Sequence, residues 1–238
     1  MINEIAGQLR HVIEALAADL YHPLGEILLE GFSAPSALTL REAEVRPRLP
    51  LPEGTAWGMP WDYAWMFGRF TVPEKAKGER IVMDLQPGGE ATLFVNGRPF
   101  GARRADRLDH PHHYICDQTV AQKARGGEEI SIAMEVYGGT PLPAHPGRPL
   151  FPEDGTAFIR NGSAVTGRST FGFWNEEAYQ LWLDLTVLRD VCGYLDRNDG
   201  FREALEAGFG KLLDFLDLEQ PLAQRRENCV KARELIAP

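Results

Sequence analysis

The 238-residue sequence contains few cysteines, no long apolar run and no excess of basic residues. Its three cysteines lie far apart and include no CxxC pair, so we expect neither a disulfide framework nor a zinc ribbon. No stretch approaches the roughly 18 apolar residues of a membrane span, and the first residues lack the basic flank and apolar run of a signal peptide. The net charge of −9 argues against a broad basic surface. These absences predict a cytoplasmic protein whose partners include neither nucleic acid nor a membrane.

Alternating apolar and polar side chains dominate from about residue 38 to residue 165, a pattern typical of strands with one buried face. The alternation is cleanest from Ile130 to Val136, and the dipeptide Asn96-Gly97 predicts a two-residue hairpin turn. No helical pattern separates these strands. We therefore predict a mainly β fold with α, in which an antiparallel, jelly-roll-like β-sandwich forms the core.

The two ends of the chain follow a helical spacing instead. Apolar residues recur at steps of three or four between Ile5 and Leu20, and three further stripes follow Asn175, which is placed as a helix N-cap. Of the 24 glycines and 17 prolines, only six residues lie after position 172. We therefore predict two domains: residues 1–172 with the N-terminal helix and the sandwich, and residues 173–238 as a helical segment. Unpaired apolar stripes on these helices make a homo-oligomer one expected assembly.

A group of aromatic residues with one carboxylate is the strongest candidate for ligand binding. An exposed indole can stack on a pyranose, and a nearby carboxylate can accept hydrogen bonds from its hydroxyl groups. The predicted carbohydrate-binding residues are Trp57, Trp61, Asp62 and Tyr63. Two alternatives stay open, because large aromatic side chains are common in cores and at domain interfaces. In the first, Trp65 and Trp57 belong to the core of the sandwich; in the second, the group contacts a partner domain.

Several stretches resemble the N-terminal region of glycoside hydrolase family 38 α-mannosidases, and together they cover roughly residues 20–236. They are Trp57-Gly58-Met59-Pro60-Trp61, Ala64-Trp65, the run from Gly88 to Pro99, His113-Tyr114-Ile115, the run from Lys123 to Glu128, and the run from Glu177 to Leu188. The resemblance implies a galactose-binding-like β-sandwich followed by a helical linker to a catalytic domain. It also implies that catalysis, with its zinc ion and Asp nucleophile, belongs to that later domain.

The sequence lacks the catalytic opening motif of that family, so the resemblance supplies no catalytic residue. Asp109 to His113 contains zinc-ligand types, but neighbouring side chains on a strand point to opposite faces, which separates His112 from His113. The acidic pairs at 128–129 and 153–154 fit turns better than the two carboxylates, about 5 to 10 Å apart, of a glycosidase. We therefore predict no catalytic residue, metal ligand or cofactor here. The expected function is a non-catalytic domain that supports or oligomerises a catalytic glycosidase domain; the alternative is a stand-alone carbohydrate-binding module.

Overall fold

The structure is a computed structural model that describes residues 2–34, 36–58, 62–103, 115–138, 164–196 and 198–236. The chain divides into two compact units, which we call the β unit (Pro23–Phe173) and the helical unit (Met1–His22 with Trp174–Pro238). This grouping places the first helix with the C-terminal helices, because its apolar stripe packs on them. The sequence predicts a division at residue 172 that groups this helix with the sandwich, and that division into domains stays a prediction.

Antiparallel strands build the β unit. Their bounds are β1 Tyr21–Glu26, β2 Glu30–Ala34, β3 Leu49–Pro50, β4 Ala56–Gly58, β5 Tyr63–Thr71, β6 Ile81–Asp84, β7 Glu90–Val95, β8 Arg98–Arg103, β9 Thr119–Ala121, β10 Glu129–Tyr137, β11 Ala164–Val165 and β12 Thr170–Trp174. A six-stranded sheet has the order β3-β2-β5-β10-β7-β8, a four-stranded sheet the order β1-β12-β6-β9, and β4 pairs with β11. The boundaries between the two units fall within β1 and β12.

The predicted hairpin at Asn96-Gly97 is confirmed. Val95 pairs with Arg98, so β7 and β8 are joined by two residues only. Both central residues have positive φ angles, 50° at Asn96 and 71° at Gly97, as this tight turn requires. The Asn96 side chain also accepts a hydrogen bond from the Ser131 backbone N–H at 3.0 Å, which ties the turn to β10.

One hydrophobic core lies between the two larger sheets. Met66 of β5, Leu93 of β7 and Met134 of β10 are fully buried on one face of the six-stranded sheet, because alternate residues of a strand share a face. Met83 of β6 and Phe171 of β12 meet them from the four-stranded sheet. Each such side chain stabilises the fold by about 1.5–3 kcal/mol through burial. The predicted antiparallel, mainly β fold with flanking helices is therefore confirmed.

The opposite face of the six-stranded sheet, called the outer face below, is also partly covered. The short helix α2 (Leu40–Glu44) packs Ala43 against Trp65, Phe67 and Ala133 in a second, smaller apolar cluster. A capping box at Thr39 fixes the start of α2. The Arg48 guanidinium lies 3.5 Å from the centre of the Phe67 ring, which adds a cation–π contact beside this cluster.

Longer helices form the helical unit: α1 (Ile2–Ala18), α3 (Glu176–Tyr194), α4 (Gly200–Phe215) and α5 (Leu222–Ile236). They bury the apolar stripes that the sequence predicts, including Leu16, Leu185 and Leu212, which are fully buried. Asn175 is the N-cap of α3 as predicted, since its side chain accepts a hydrogen bond from the Ala178 backbone N–H. Among the described residues, no helix combines the length and apolar character that crossing a membrane requires.

Candidate functional site

An open cleft of about 470 Å³ lies on the outer face of the six-stranded sheet. We call it the tyrosine cleft and define it by its lining residues, which are Tyr63, Glu90, Ala91, Thr92, Ala102, Arg103, Glu135 and Tyr137. Strand register assembles it. Tyr137 of β10 lies opposite Tyr63 of β5 and Glu90 of β7, and Glu135, two residues earlier, lies opposite Thr92. Three neighbouring strands therefore present polar and aromatic side chains side by side.

Two tyrosine rings form the aromatic part of the cleft. The centres of the Tyr63 and Tyr137 rings are 5.3 Å apart and their planes are tilted by 42°. Both side chains are half-buried, and each combines an apolar ring with a hydroxyl group that can donate and accept hydrogen bonds. Such a pair can pack against the C–H face of a ligand and also exchange hydrogen bonds with it.

Glu135 supplies a carboxylate beside the two rings. Its side chain is half-buried, and burial raises the pKa of its carboxyl group above the usual value of 4.5. Within the described part of the chain, the carboxylate has neither a hydrogen bond nor an ion pair. A partly desolvated acceptor of this kind gains free energy from any ligand that brings hydrogen-bond donors to it.

The remaining charged groups of the cleft differ in how accessible they are to a ligand. Glu90 is exposed, whereas Arg103 is buried and donates to the Leu85 carbonyl oxygen at 3.1 Å and to the Gln86 side-chain oxygen at 2.9 Å. Arg103 is thus a structural group of the sandwich. The two carboxylates of Glu90 and Glu135 consequently give the cleft an acidic character.

The structure separates the residues predicted to bind carbohydrate. The Trp57 side chain belongs to the core with 8% exposure, and its indole N–H donates to the Pro87 carbonyl oxygen at 2.7 Å. As placed, its ring offers no exposed face to a pyranose, in agreement with the core alternative. Trp61 lies outside the described residues. Asp62 is half-buried and its backbone carbonyl accepts from the Gly138 N–H, while Tyr63 lines the tyrosine cleft. Carbohydrate binding by the predicted set stays a prediction.

Sequence reasoning missed Glu135, Tyr137 and Thr92 as site residues. The alternation of β10 does place Glu135 and Tyr137 on one face, opposite the buried Met134 and Val136. What the sequence could not supply is the pairing of β10 with β5 and β7, since the nearest of these strands is more than 30 residues away.

The sequence also contains three other groups of candidate residues, at positions 109–113, 128–129 and 153–154. Glu128 is a turn residue as predicted: its carboxylate accepts from the Arg125 backbone N–H at 2.9 Å, and this hydrogen bond lowers the pKa of its carboxyl group. Glu129 is not, because it begins β10 and pairs with Thr71. Residues 109–113 and 153–154 lie outside the described part of the chain. Within the part that is described, no three His, Cys, Asp or Glu side chains approach closely enough to hold a metal ion.

The two facing antiparallel sheets define the β unit as a jelly-roll β-sandwich domain. Residues 29–142 match the family model of the Ams1-like first domain, described as the α-mannosidase jelly roll domain. The match covers β2 to β10 and therefore all six strands of the six-stranded sheet. It confirms the resemblance to the N-terminal region of α-mannosidases that the sequence motifs indicate. The β unit is thus similar to the jelly roll domain of a glycoside hydrolase, the α-mannosidase.

Solved structures similar to this chain include two bacterial β-glucuronidases. One, from Ruminococcus gnavus in complex with uronic deoxynojirimycin, has 11% sequence identity and a TM-score of 0.39; the match covers 65% of this chain and 29% of that one. The other, from Faecalibacterium prausnitzii, has 11% identity and a TM-score of 0.40, with 65% and 32% covered. The chain thus spans less than a third of the length of these two enzymes. No curated protein sequence matches it.

Proposed function

We propose that this chain is a non-catalytic domain of an α-mannosidase-like glycoside hydrolase, and that it supports the catalytic domain. The single observation that carries this proposal is the match of residues 29–142 to the α-mannosidase jelly roll domain. The packing of the β unit is compatible with such a role, because its six-stranded sheet has apolar clusters on both faces and is rigidly held. Its cytoplasmic location and its association with a second copy stay predictions.

No residue of this chain is assigned to the chemical step. We expect the zinc ion and the Asp nucleophile in the catalytic domain, as the resemblance to α-mannosidases implies. Support by this chain would then consist of holding that domain in its active arrangement. Such support would be measured as a change in the stability of the catalytic domain or in its oligomeric state. The reaction mechanism would stay the same.

The experiment combines an activity assay with reconstitution. The purified chain is incubated with 4-nitrophenyl α-mannoside with and without zinc, and fractions from cells that carry an empty vector serve as the control. We expect no hydrolysis above that control. Mixing the chain with an α-mannosidase catalytic domain from the same organism should give a complex in gel filtration and a higher melting temperature of the catalytic domain. Hydrolysis by the chain alone, or the absence of any complex, contradicts the proposal.

Carbohydrate binding is a second function that one specific observation favours. The predicted contact residue Tyr63 lines an open cleft together with a second tyrosine and a carboxylate without a described partner. Aromatic faces beside hydrogen-bond acceptors are the combination expected of a sugar site. This function and the support of a catalytic domain are compatible in one chain.

A further inference from the structure

We propose that the tyrosine cleft binds a neutral pyranose, with its ring against Tyr63 and Tyr137 and its hydroxyl groups donating to Glu135. This proposal rests on the carbohydrate-binding function above and deepens it by naming the site and the class of sugar. It replaces Trp57 with residues of β7 and β10 that the sequence did not indicate. It does not depend on the support of a catalytic domain, which is tested separately.

The first argument is the size and position of the cleft. Its volume of about 470 Å³ lies within the range of roughly 300–1,000 Å³ that small-molecule sites occupy. Most of the lining side chains are carried by β5, β7 and β10, which pair in continuous register. Rigid strands hold side chains more precisely than loops do, so the site is formed before the ligand arrives.

The second argument is the chemistry of the lining. The rings of Tyr63 and Tyr137 present apolar surface, and the C–H groups on one face of a pyranose are its main apolar surface. Thr92 is exposed on the same face of the sheet and adds a hydroxyl group that can both donate and accept. A pyranose offers hydroxyl groups on its rim and C–H groups on its face, which suits such a mixed surface.

The third argument is the carboxylate of Glu135. Within the described residues nothing donates to it, although its side chain is half-buried on the central strand of the cleft. Sugar hydroxyl groups would supply the missing donors, and hydrogen bonds to a charged acceptor are the stronger kind. The Glu135 carboxylate is therefore partly desolvated without hydrogen-bond donors in the empty cleft, and it gains such donors when a sugar binds.

The fourth argument decides between neutral and acidic sugars. The exposed carboxylate of Glu90 lies opposite Tyr137, so two carboxylates line the cleft. The guanidinium of Arg103 donates to Leu85 and Gln86 and interacts with the Asp84 carboxylate, whose negative charge offsets its positive one. A sugar that carries its own carboxylate would be repelled by both acidic groups. Neutral hexopyranosides are therefore the class that fits.

The experiment is a titration of the isotopically labelled chain, followed by NMR backbone amide shifts. The ligands are methyl α-D-mannopyranoside, methyl α-D-glucopyranoside and the sodium salt of methyl α-D-glucuronopyranoside (glucuronate below). The last two differ only at C6, which carries a hydroxyl group in the first and is a carboxylate in the second. We expect the neutral glycosides to bind with a dissociation constant on the order of 1 mM and to shift amides of β5, β7 and β10. Glucuronate should bind at least about tenfold more weakly.

Three variants test the assignment to side chains. Glu135→Gln keeps the shape but removes the charge, and should weaken binding about tenfold. Tyr137→Ala removes one ring and should weaken it at least about fivefold. Glu129→Gln is the matched control, because Glu129 is exposed on the same strand and the same face, about 20 Å along β10 from Glu135. It should bind like the unmodified chain.

Folding of the variants is checked by their melting temperatures. Glu135→Gln should melt at the same or a higher temperature, since it removes a partly desolvated charge, so weaker binding by this variant cannot be attributed to unfolding.

Each outcome separates the proposals. If no sugar shifts any backbone amide at a concentration of about fifty times the expected dissociation constant, the proposal of carbohydrate binding is wrong. The proposal that the chain supports a catalytic domain is not affected by this result. If sugars bind but Glu135→Gln and Tyr137→Ala leave the affinity unchanged, the carbohydrate function stands and the tyrosine cleft is the wrong site. Glucuronate binding as tightly as the neutral glycosides overturns the class of ligand.

Discussion

Asp19 and Arg225 are 206 residues apart in sequence and form a two-point ion pair in the helical unit. The Arg225 Nη2 lies 2.5 Å from Asp19 Oδ1, and the Arg225 Nε lies 3.2 Å from Asp19 Oδ2. The same carboxylate accepts from the Asn175 side chain at 3.0 Å and faces His22 Nε2 at 3.1 Å. One side chain therefore connects the end of α1, the N-cap of α3 and the first turn of α5.

Replacing Asp19 with Asn should destabilise the helical unit. The substitution removes the negative charge and turns one of the two acceptor oxygens into an NH2 donor that faces the donors of Arg225 or Asn175, so we expect the free energy of unfolding to fall by about 2–3 kcal/mol. Urea titration followed by far-UV circular dichroism measures this change. The control is Glu227→Gln, which breaks an exposed pair with Lys231 on α5 and should change the same free energy by less than about 0.5 kcal/mol. Equal effects of the two variants would contradict the role assigned to Asp19.

The effect of Asp19→Asn should disappear in acid. Burial raises the pKa of the Asp19 carboxyl group, but hydrogen bonds from His22 and Arg225 and the charge of Arg225 lower it more, so it lies below the usual 3.8. A carboxyl group whose pKa is lowered on folding stabilises the fold above the unfolded-state pKa. The difference between the two proteins should therefore be constant near neutral pH and shrink as the pH falls below about 4. A difference that persists in acid would show that packing, and not charge, is responsible.

The thiol of Cys229 should be unreactive in the folded protein. Its side chain is 1% exposed, and burial, with added effects of the Asp19 and Glu177 charges, raises the pKa of its thiol to about 11. At pH 8 only roughly one molecule in a thousand then carries the reactive thiolate. Ellman's reagent should modify the half-buried Cys116 first and Cys229 only after urea is added. Rapid reaction of all three thiols without urea would contradict the packing of α5.

Gly88 and Gly97 provide a matched pair of substitutions in the β unit. Both have positive φ angles, 83° and 71°. A Cβ at Gly88 would lie 2.2 Å from the Val165 carbonyl oxygen, whereas a Cβ at Gly97 would meet no atom of the described residues within 4 Å beyond its chain neighbours. Gly97→Ala should therefore reduce the free energy of unfolding by about 1–2 kcal/mol, and Gly88→Ala by about 3 kcal/mol or more. Thermal unfolding of both variants measures the difference. Equal losses would indicate that β11 does not contact Gly88.

Trp57→Phe tests the core position of this residue against its predicted role in sugar binding. The variant loses the indole N–H that satisfies the buried Pro87 carbonyl oxygen, which should reduce the free energy of unfolding by about 1–3 kcal/mol. Sugar affinity, measured by the same NMR titration, should not change. Weaker sugar binding together with an unchanged free energy of unfolding would instead indicate that Trp57 contacts the sugar.

The strands could be predicted from the sequence because each is a local pattern. In β10, the alternation of Ile130 to Val136 fixes both the strand and its buried face, and the Asn96-Gly97 turn depends on two residues only. The apolar residues Ile27 to Leu29 show the limit of such reasoning. They are consistent with a buried strand, yet the structure places them between β1 and β2, with Leu28 exposed.

The candidate site could be predicted only in part, because proximity in sequence is a poor guide to proximity on a sheet. Trp57 and Tyr63 are six residues apart, but the first lies in the core between the sheets and the second on the outer face. Tyr63 and Tyr137, in contrast, come together through strand pairing over more than 70 residues. That pairing is decided by how all the strands bury their apolar faces together, which no short motif encodes.

The division of the helical unit between the two ends of the chain has a consequence for synthesis on the ribosome. Helix α1 emerges first, but its packing partners α3 and α4 emerge only after the whole sandwich. A lone helix of 17 residues is only marginally stable in water. The sandwich can therefore fold before the packing partners of α1 have been synthesised. During that interval the apolar stripe of α1 is exposed and accessible to chaperones.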